Sequence, residues 1–330
     1  MATIRDIAKA AGVSVATVSY VLNGKKGVSE EISKKILEII KQMDYTPRQE
    51  ARNLSCRSSN LIGLLISDIS NLYNMELLKN IEAVARAHGK QIMFICSEED
   101  PEKERAAIDR FIAQNVCGLI ICPSAYSSEK DFEESLKKLH KNNIPVVFFY
   151  FMCKDEMCVF PDLKNGEYQL VKEVLKNGFG KIVFFGGPLD DYYTRLRYEG
   201  FEKAIVEAGL GGTNWYVDCG SVINFDCGVR VVNEYLRGHD VPEIIFCVND
   251  VLAYGVIKGL RQCGLRVPQD VSVVGFDGIQ ALVMDDIRLT TAVIPIAQMC
   301  ESGITMLLGG KSKTEIFQVK TSFGNTVREK

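Results

Sequence analysis

Histidine and the common catalytic motifs are scarce in this sequence. Its 330 residues include only three histidines, and two of them, His88 and His140, are predicted to lie at helix C-termini, where histidine complements the helix dipole. The chain lacks the patterns G-x-S-x-G, H-E-x-x-H and G-x-G-x-x-G. Gly310-Lys311-Ser312 resembles the end of a phosphate-binding loop, but Thr305 stands where that loop requires its first glycine. We therefore expect a protein that is not an enzyme.

Long apolar runs and metal-binding cysteine motifs are also missing. No stretch approaches the roughly 18 apolar residues of a membrane-spanning helix, and the N-terminal segment lacks the apolar core of a signal peptide. We expect a cytoplasmic protein with no membrane partner, so its 11 cysteines should be reduced thiols. No two cysteines form a C-x-x-C pair, and Cys153 and Cys158 are spaced too widely for a zinc knuckle. Neither a metal nor a cofactor is expected.

Charge is unevenly distributed along the chain. The formal net charge of -3 excludes a protein that is basic over its whole surface. Residues 1–60 contain ten Lys and Arg against six Asp and Glu, whereas the remaining 270 contain 29 against 36. A basic end on an acidic body is typical of a protein that presents one end to nucleic acid. Hydrophobic residues make up 47% of the chain, which is enough to form cores in two or three domains.

The first 46 residues are predicted to form three short helices. Thr3 and Asp6 have the spacing of a capping box at the start of the first helix. Ser14 is the expected cap of a second helix that covers Val15–Leu22, and Ser29 is the expected cap of a third. These helices are short and closely spaced, as in a small DNA-binding domain.

The second helix is the candidate DNA-reading element. If Val18 faces inward, helical spacing turns Ala16 and Tyr20 outward and leaves Val15 exposed in the first turn. The A-x-x-A-G-V-S spacing before this helix and the basic balance favour a helix-turn-helix over the alternative, an ordinary small helical bundle. The residues expected at the DNA are Val15, Ala16 and Tyr20 at base edges, and Ser14, Thr17 and Ser19 at phosphates.

The pattern changes at Leu61. Short apolar runs such as Leu61–Ile66 and Gly118–Cys122 alternate with amphipathic stretches such as Glu76–His88. Fully apolar strands alternating with helices predict an α/β fold whose parallel sheets are flanked by helices on both faces. The alternation of apolar runs with amphipathic stretches resumes after residue 180, so residues 61–330 are predicted to form two α/β halves. Such halves bind a ligand in the crevice at the C-terminal ends of their strands.

The segment from Thr3 to Gly24 resembles the headpiece of the LacI/GalR family of bacterial transcription regulators. It reads T-I-R-D-I-A-K-A-A-G-V-S-V-A-T-V-S-Y-V-L-N-G. Further segments follow in the family's order and extend the resemblance over essentially the whole chain. They are Tyr45-x-Pro47, Ala51-Arg52-x-Leu54, Leu61–Leu64, Asp68–Asn71, Arg197-x-x-Gly200-Phe201, Asn249-Asp250, Gly264–Asp277 and Leu289–Thr291.

The resemblance implies a three-part chain. Residues 1–46 would form the headpiece, residues 47–60 a hinge helix and linker, and residues 61–330 a type I periplasmic-binding-protein-like core. One subdomain of this core would cover about 61–160 plus 292–318, and the other about 161–291 plus 319–330. The implied function is a repressor that binds a near-palindromic operator as a homodimer, with a tetramer as the alternative assembly. A solute-binding or sensor protein without gene regulation is the alternative function, which the headpiece disfavours.

The resemblance also assigns roles in the hinge. Leu54 matches the leucine that enters the minor groove and kinks the duplex, and its polar neighbours disfavour the alternative of a core residue. Arg48 and Arg52 would contact phosphates, and Thr3 and Asn23 complete the expected DNA contacts. Tyr20 departs from the family, which usually has an arginine there to bind guanine. The operator sequence is therefore not predicted.

The resemblance finally implies an effector site within the core. Arg197, Asn249 and Asp277 match the positions that hold ligand hydroxyls or carboxylates, and this donor set suits a polyol. Tyr73 and Tyr193 are candidates to stack on a ring. The alternative for Arg197 and Asp277 is a structural salt bridge.

The expected effector is a sugar, with a nucleobase or another small metabolite as the alternative. Two departures from the family weaken its identification. The acid that the family often has near Pro161 is shifted by one residue, to Asp162. Phe225 and Cys227 replace more usual polar residues in the segment Gly220–Gly228.

Overall fold

The chain contains two compact units, Met1–Ser59 and Asn60–Lys330. The computed structural model describes residues 2–22, 27–43, 59–210, 215–279, 286–309 and 313–329. Asn23 and the predicted hinge residues Arg48, Arg52 and Leu54 lie outside the described residues. Among the described helices, none combines the length and the apolar character that crossing a bilayer requires.

The first unit contains the three predicted helices, with their predicted caps. They are α1 (Ile4–Ala11), α2 (Val15–Leu22) and α3 (Glu30–Gln42). Thr3 and Asp6 form the capping box of α1. The Ser14 hydroxyl accepts from the Thr17 amide at 3.1 Å, and the Ser29 hydroxyl accepts from the Ile32 amide at 3.4 Å. Each cap satisfies an amide that would otherwise lack a partner in the first turn, typically worth about 1 kcal/mol.

A small apolar core holds these helices together. Its buried members are Ile7, Ala8, Ala11, Val18 and Ile36. Each fully buried large aliphatic side chain contributes about 1.5–3 kcal/mol. With so few members among residues 2–22 and 27–43, this core gives the three helices a small margin of stability, and the caps are a substantial part of that margin.

Strands and helices alternate along the second unit. The described strands are β1 (Leu61–Ile66), β2 (Gln91–Cys96), β3 (Gly118–Ile121), β4 (Val146–Phe149), β5 (Met157–Pro161), β6 (Ile182–Gly186), β7 (Tyr216–Asp218), β8 (Ile244–Cys247), β9 (Ser272–Asp277), β10 (Thr290–Val293), β11 (Thr314–Phe317) and β12 (Lys320–Ser322). The described helices are α4 (Leu72–Ala87), α5 (Pro101–Ala113), α6 (Glu129–Lys141), α7 (Leu163–Leu175), α8 (Tyr192–Glu207), α9 (Phe225–Gly238), α10 (Asp250–Gln262) and α11 (Ile296–Leu307).

The strands form two six-stranded sheets. The first sheet has the order β11-β5-β4-β3-β1-β2, and the second has the order β12-β10-β9-β8-β6-β7. Strand pairs in both sheets are parallel except β10 with β12, which is antiparallel. The central strands are buried along their length, as expected where helices cover both faces. The predicted α/β fold with parallel sheets is thereby confirmed.

The chain passes between the two sheets at three described points. It leaves β5 of the first sheet for α7, which packs on β10 and β12 of the second. It returns from β10 to α11, which packs on β4 and β5, and it crosses again between β11 and β12. Because neighbouring strands are parallel, their C-terminal ends share one edge of each sheet. This edge is where an α/β protein places its ligand.

Candidate functional sites

Helix α2 turns its predicted DNA-facing residues outward. Val18 is fully buried, whereas Val15 is 42% exposed and Tyr20 is 48% exposed. Ala16 is exposed as well. The outward face predicted from helical spacing is therefore confirmed, while base contacts by these residues stay a prediction.

The hydroxyls predicted to meet phosphates lie at the start of the same helix. The Ser14 and Thr17 side chains are hydrogen-bonded to each other at 2.8 Å, and both residues are at least partly accessible. Ser19 is half-buried, one turn further along. The amide-rich N-terminus of α2 is thus flanked by hydroxyl groups, an arrangement suited to an anion.

Three tyrosines meet where strands of both sheets end. Tyr73 lies in the first turn of α4, Tyr150 follows β4, and Tyr193 lies in the first turn of α8. The Tyr73 and Tyr150 rings are edge to face at 5.3 Å, and the Tyr150 and Tyr193 rings at 6.3 Å. The Tyr193 hydroxyl donates to the Pro123 carbonyl at 3.4 Å, which connects the second sheet's helix to a loop of the first sheet. The hydroxyls of Tyr73 and Tyr150 are buried, and within the described part of the chain neither has a hydrogen-bond partner.

Arg197 and Asp277 form a buried ion pair beside these rings. Arg197 Nη2 lies 2.8 Å from Asp277 Oδ1, and Nη1 donates to the Val248 carbonyl at 2.8 Å. The guanidinium also lies 4.4 Å from the centre of the Phe276 ring. Asp277 has a φ of 113°, a strained conformation for a non-glycine residue, and the ion pair helps to hold it there. Arg197 Nε is buried and has no partner in the described ranges, so the ion pair with Asp277 does not use every donor of the guanidinium.

A second buried acid, Glu167 of α7, belongs to the same electrostatic group. Burial raises its pKa to about 8, with Arg197 opposing that rise and Asp277 adding to it. Burial likewise raises the pKa of Asp277 to about 6, against the opposing effect of Arg197. Glu167 Oε2 is buried and has no hydrogen-bond partner among the residues that the structure describes. At neutral pH Arg197 thus pairs with an ionised Asp277, while Glu167 holds its proton.

The remaining predicted effector residues are used as helix caps. The Asp162 carboxylate accepts from the Asn165 amide at 3.2 Å at the start of α7. The Asn249 side-chain oxygen accepts from the Leu252 amide at 2.8 Å at the start of α10. Both residues nevertheless lie at C-terminal ends of strands, β5 and β8, on the edge that carries the tyrosines. Their capping oxygens are committed, which leaves the Asn249 amide group and the second Asp162 oxygen as candidate ligand contacts.

Sequence reasoning missed Tyr150 and Glu167. Tyr150 ends an apolar run, and only its position just after a strand could have indicated it. Glu167 had no signal in the sequence, because nothing in the pattern of α7 distinguishes a buried acid from an exposed one. Its role depends on its neighbours in space.

Two family profiles match nearly the whole chain. Residues 3–48 match the profile described as bacterial regulatory proteins, lacI family. Residues 59–320 match the profile described as periplasmic binding proteins and sugar binding domain of LacI family. The chain belongs to the LacI family.

Relatives of this LacI-family protein include two transcription regulators, each about one-third identical to it in sequence. The HTH-type transcriptional repressor PurR of Photobacterium profundum is 31% identical over 315 residues, 93% of this chain and 91% of that protein. Catabolite control protein A of Priestia megaterium is 31% identical over 297 residues, 89% of this chain and 88% of that protein. The crystal structure of the Lac repressor dimer bound to operator and the anti-inducer ONPF has a TM-score of 0.87 at 23% identity, covering 99% of both chains.

Family membership confirms the class of function predicted from the sequence. This LacI-family chain is a DNA-binding transcription regulator and not an enzyme. The fold expected from the resemblance is confirmed too, since the α/β core follows the Lac repressor fold over its length.

Proposed function

We propose that this protein is a repressor that binds a near-palindromic operator as a homodimer. Its affinity for that operator changes when a small polar effector binds. The observation that carries the proposal is a set of buried polar atoms at the strand ends of both sheets that have no hydrogen-bond partner among the described residues. They are the hydroxyls of Tyr73, Tyr150 and Ser97, Arg197 Nε and Glu167 Oε2. Buried polar atoms are nearly always paired, so such a concentration supports a site that a ligand completes.

The charges of this group favour an uncharged effector. Arg197 and Asp277 neutralise each other, and Glu167 is protonated at neutral pH because its pKa is about 8. A phosphate or carboxylate would add a buried charge without a free cation among these residues to balance it. A neutral polyol can pair its hydroxyls with the tyrosine hydroxyls and with Arg197 Nε. We therefore propose a sugar, in keeping with the description of the family's core as a sugar binding domain.

The first group of proposed DNA contacts lies in the headpiece. Val15, Ala16 and Tyr20 would read base edges, and Ser14, Thr17 and Ser19 would contact phosphates. Thr3, Asn23, Arg48, Arg52 and Leu54 complete the proposed interface. The Lac repressor, whose crystal structure is a dimer bound to operator, supports a two-fold arrangement for this chain as well.

Operator binding can be tested with the full chain and a library of genomic fragments. At moderate salt we expect gel shifts to enrich fragments that contain an inverted repeat. Leu54→Ala should weaken binding to the enriched fragment and reduce its bend, because the wedge is lost. Equal affinity for all fragments would contradict a sequence-specific regulator, and an unchanged bend would remove the wedge role of Leu54.

Effector binding can be tested with a thermal-shift screen of neutral sugars, nucleobases and sugar phosphates. A ligand that binds only the folded protein raises its melting temperature. We expect a hit among the neutral sugars, and Arg197→Ala should abolish that shift while operator affinity is retained. A screen in which only the phosphorylated compounds raise the melting temperature would contradict the neutral-sugar assignment.

A further inference from the structure

A pair of cysteines lies at the start of α9, and neither of them is among the DNA or effector contacts proposed above. Cys219 follows β7, and Cys227 lies in the first turn of α9, whose cap is Asn224. The Cys227 thiol donates to the Cys219 carbonyl at 3.4 Å. The two cysteines are therefore neighbours in space, although they are eight positions apart in the sequence.

An arginine connects this pair to solvent. Arg230 Nη2 lies 3.5 Å from Cys227 Sγ and 2.9 Å from the Cys219 carbonyl. Its side chain is 52% exposed and pairs with Glu234 one turn later. Cys219 and Cys227 are themselves buried, but the segment between them includes Val222, which is 68% exposed. Arg230 is thus a half-exposed side chain that contacts Cys227 Sγ directly.

From this geometry we propose that Cys227 is a modification site for small hydroperoxides and that Cys219 is its resolving thiol. The helix N-terminus and Arg230 favour the thiolate form of Cys227, which is the nucleophile in thiol chemistry. Cys219 is the cysteine next to the sulfenic acid that would form, since the Cys227 thiol contacts its carbonyl. This chemistry requires neither operator nor effector to be bound.

The chemistry balances without any group beyond the hydroperoxide. The Cys227 thiolate attacks one peroxide oxygen, an S–O bond forms and the O–O bond breaks, and the departing alkoxide takes a proton to give an alcohol, or water when the oxidant is hydrogen peroxide. The Cys219 sulfur then attacks Cys227 Sγ, an S–S bond forms and the S–O bond breaks, and hydroxide leaves with the thiol proton as water. Two thiols lose two electrons, and the peroxide gains them.

The groups that face these sulfurs support this division of roles. The Cys219 side chain, Arg230 and the Asn224 backbone lower the pKa of Cys227 to about 6, against its burial. The pKa of Cys219 is raised, first by its hydrogen bond to Cys227, then by burial and by the nearby Cys247 and Asp218. Cys227 is thus the thiol that reacts first, and Cys219 is the one that keeps its proton until the second step.

A disulfide between Cys219 and Cys227 would form next to the end of β6. The Cys219 amide donates to the Gly186 carbonyl at 2.8 Å, at the end of β6. A side-chain carbon at the next residue, Gly187, would lie 3.2 Å from Thr194 Oγ1 of α8. Helix α8 also carries Tyr193 and Arg197, so the cysteine pair is connected through the end of β6 to the helix of two effector residues.

The test uses the reduced full chain and hydrogen peroxide at a few equivalents. After alkylation of the remaining thiols and digestion, mass spectrometry should find a peptide pair joined through Cys219 and Cys227. In Cys219→Ser the reaction should stop at a sulfenic acid on Cys227, which dimedone traps. Cys263→Ser, which removes an exposed thiol, is the matched control and should give the same linkage as the unmodified protein.

The pH dependence of the reaction provides a second readout. From pH 6 to pH 8 the thiolate fraction at a pKa of about 6 rises only two-fold, whereas that of an ordinary thiol rises about 80-fold. Modification of Cys227 should therefore be nearly independent of pH in this range. Arg230→Gln retains both thiols, and if it makes Cys227 a tenfold weaker acid, the thiolate fraction at pH 6 falls about five-fold.

Two results would overturn the proposal. One is oxidation of Cys263 with Cys219 and Cys227 still reduced. The other is a dimedone adduct absent from Cys227 in a Cys219→Ser protein whose circular dichroism matches that of the unmodified chain.

Discussion

Arg197 lies among acids that burial keeps from ionising easily. It makes a 2.8 Å ion pair with Asp277, whose pKa burial raises to about 6, and it opposes a rise in the pKa of Glu167 to about 8. The positive charge of a guanidinium between two acids is neutralised when only one of the two acids is ionised. When both are ionised, the surplus anion is buried and costs stability.

Replacement of Glu167 by glutamine should make the protein less sensitive to alkaline pH. The folded pKa of Glu167, about 8, lies above its ordinary value of 4.5, so the folded state binds the proton more tightly than the unfolded state. The stability from this group is full below pH 4.5 and is lost as pH rises toward 8. Between pH 5.5 and pH 7.5, Glu167→Gln should therefore gain about 1–3 kcal/mol relative to the unmodified protein.

Urea unfolding at several pH values measures this difference. Glu202→Gln, an exposed acid on α8, is the matched control and should show no such trend. A constant difference between Glu167→Gln and the unmodified chain across the range would contradict the raised pKa.

Tyr20 is the residue at which operator preference should be most easily changed. Because it is exposed on α2, Tyr20→Arg should introduce a preference for guanine at one position of each half-site, worth about 1–3 kcal/mol. Selection from randomised operators measures the change. Tyr20→Phe distinguishes a contact made by the hydroxyl from one made by the ring, because it removes only the hydroxyl. Identical preferences in all three proteins would show that Tyr20 does not face a base.

At the scale of elements, helices α9 and α10 pack unusually closely because glycines meet at their crossing. A side-chain carbon added at Gly255 would lie 2.0 Å from the Phe225 carbonyl oxygen. One added at Gly228 would lie 2.4 Å from the Leu252 carbonyl oxygen. Backbone atoms cannot retreat as a flexible side chain can, so only glycine is tolerated at this crossing.

Gly255→Ala should therefore separate the two helices and destabilise the core by about 1–3 kcal/mol. Gly238→Ala is the matched control, because an added carbon at Gly238 meets nothing within 4 Å at the end of α9. That change should be neutral or stabilise by up to about 1 kcal/mol through helix propensity. Thermal denaturation of both variants checks the pair, and equal melting temperatures would contradict the close crossing.

The sequence predicted those elements that have a hydrophobic pattern of their own. Strands such as β1 and β3 are short apolar runs between polar segments, and their predicted positions agree with the structure within a residue. Strands β5 and β11 were not predicted. Met157–Pro161 follows a charged loop and ends in proline, and β11 alternates exposed and half-buried residues at a sheet edge. Such strands are defined by the partner they pair with, which the sequence does not show.

The same distinction applies to the candidate site. Arg197 and Asp277 were found through motifs, and the structure brings them together. The resemblance could not anticipate that Asp162 and Asn249 cap helices, since capping depends on where each helix begins. Glu167 was missed because its burial results from the packing of α7 against α8.

At the scale of the whole molecule, the two units have separate cores. The first unit relies on Ile7, Val18 and Ile36, whereas the second contains two large clusters of its own. Each unit should therefore fold without the other.

A chain that begins at residue 59 should keep the fold of the core and lose operator binding. We expect its circular dichroism to show an α/β protein and its melting to stay cooperative, because its apolar clusters are complete. The full chain is the control in both measurements. A fragment that binds a hydrophobic dye and lacks a cooperative transition would show that the headpiece is needed for the core to fold.

The position of the last two strands has a consequence for synthesis on the ribosome. β11 completes one edge of the first sheet by pairing with β5, and β12 completes one edge of the second by pairing with β10. Both strands lie within residues 314–322, so the three headpiece helices emerge early and both sheets are completed late. Until then, β5 and β10 are open edges that can pair with other nascent chains. A premature stop upstream of residue 314 therefore leaves both sheets unfinished at once, although it removes only the end of the chain.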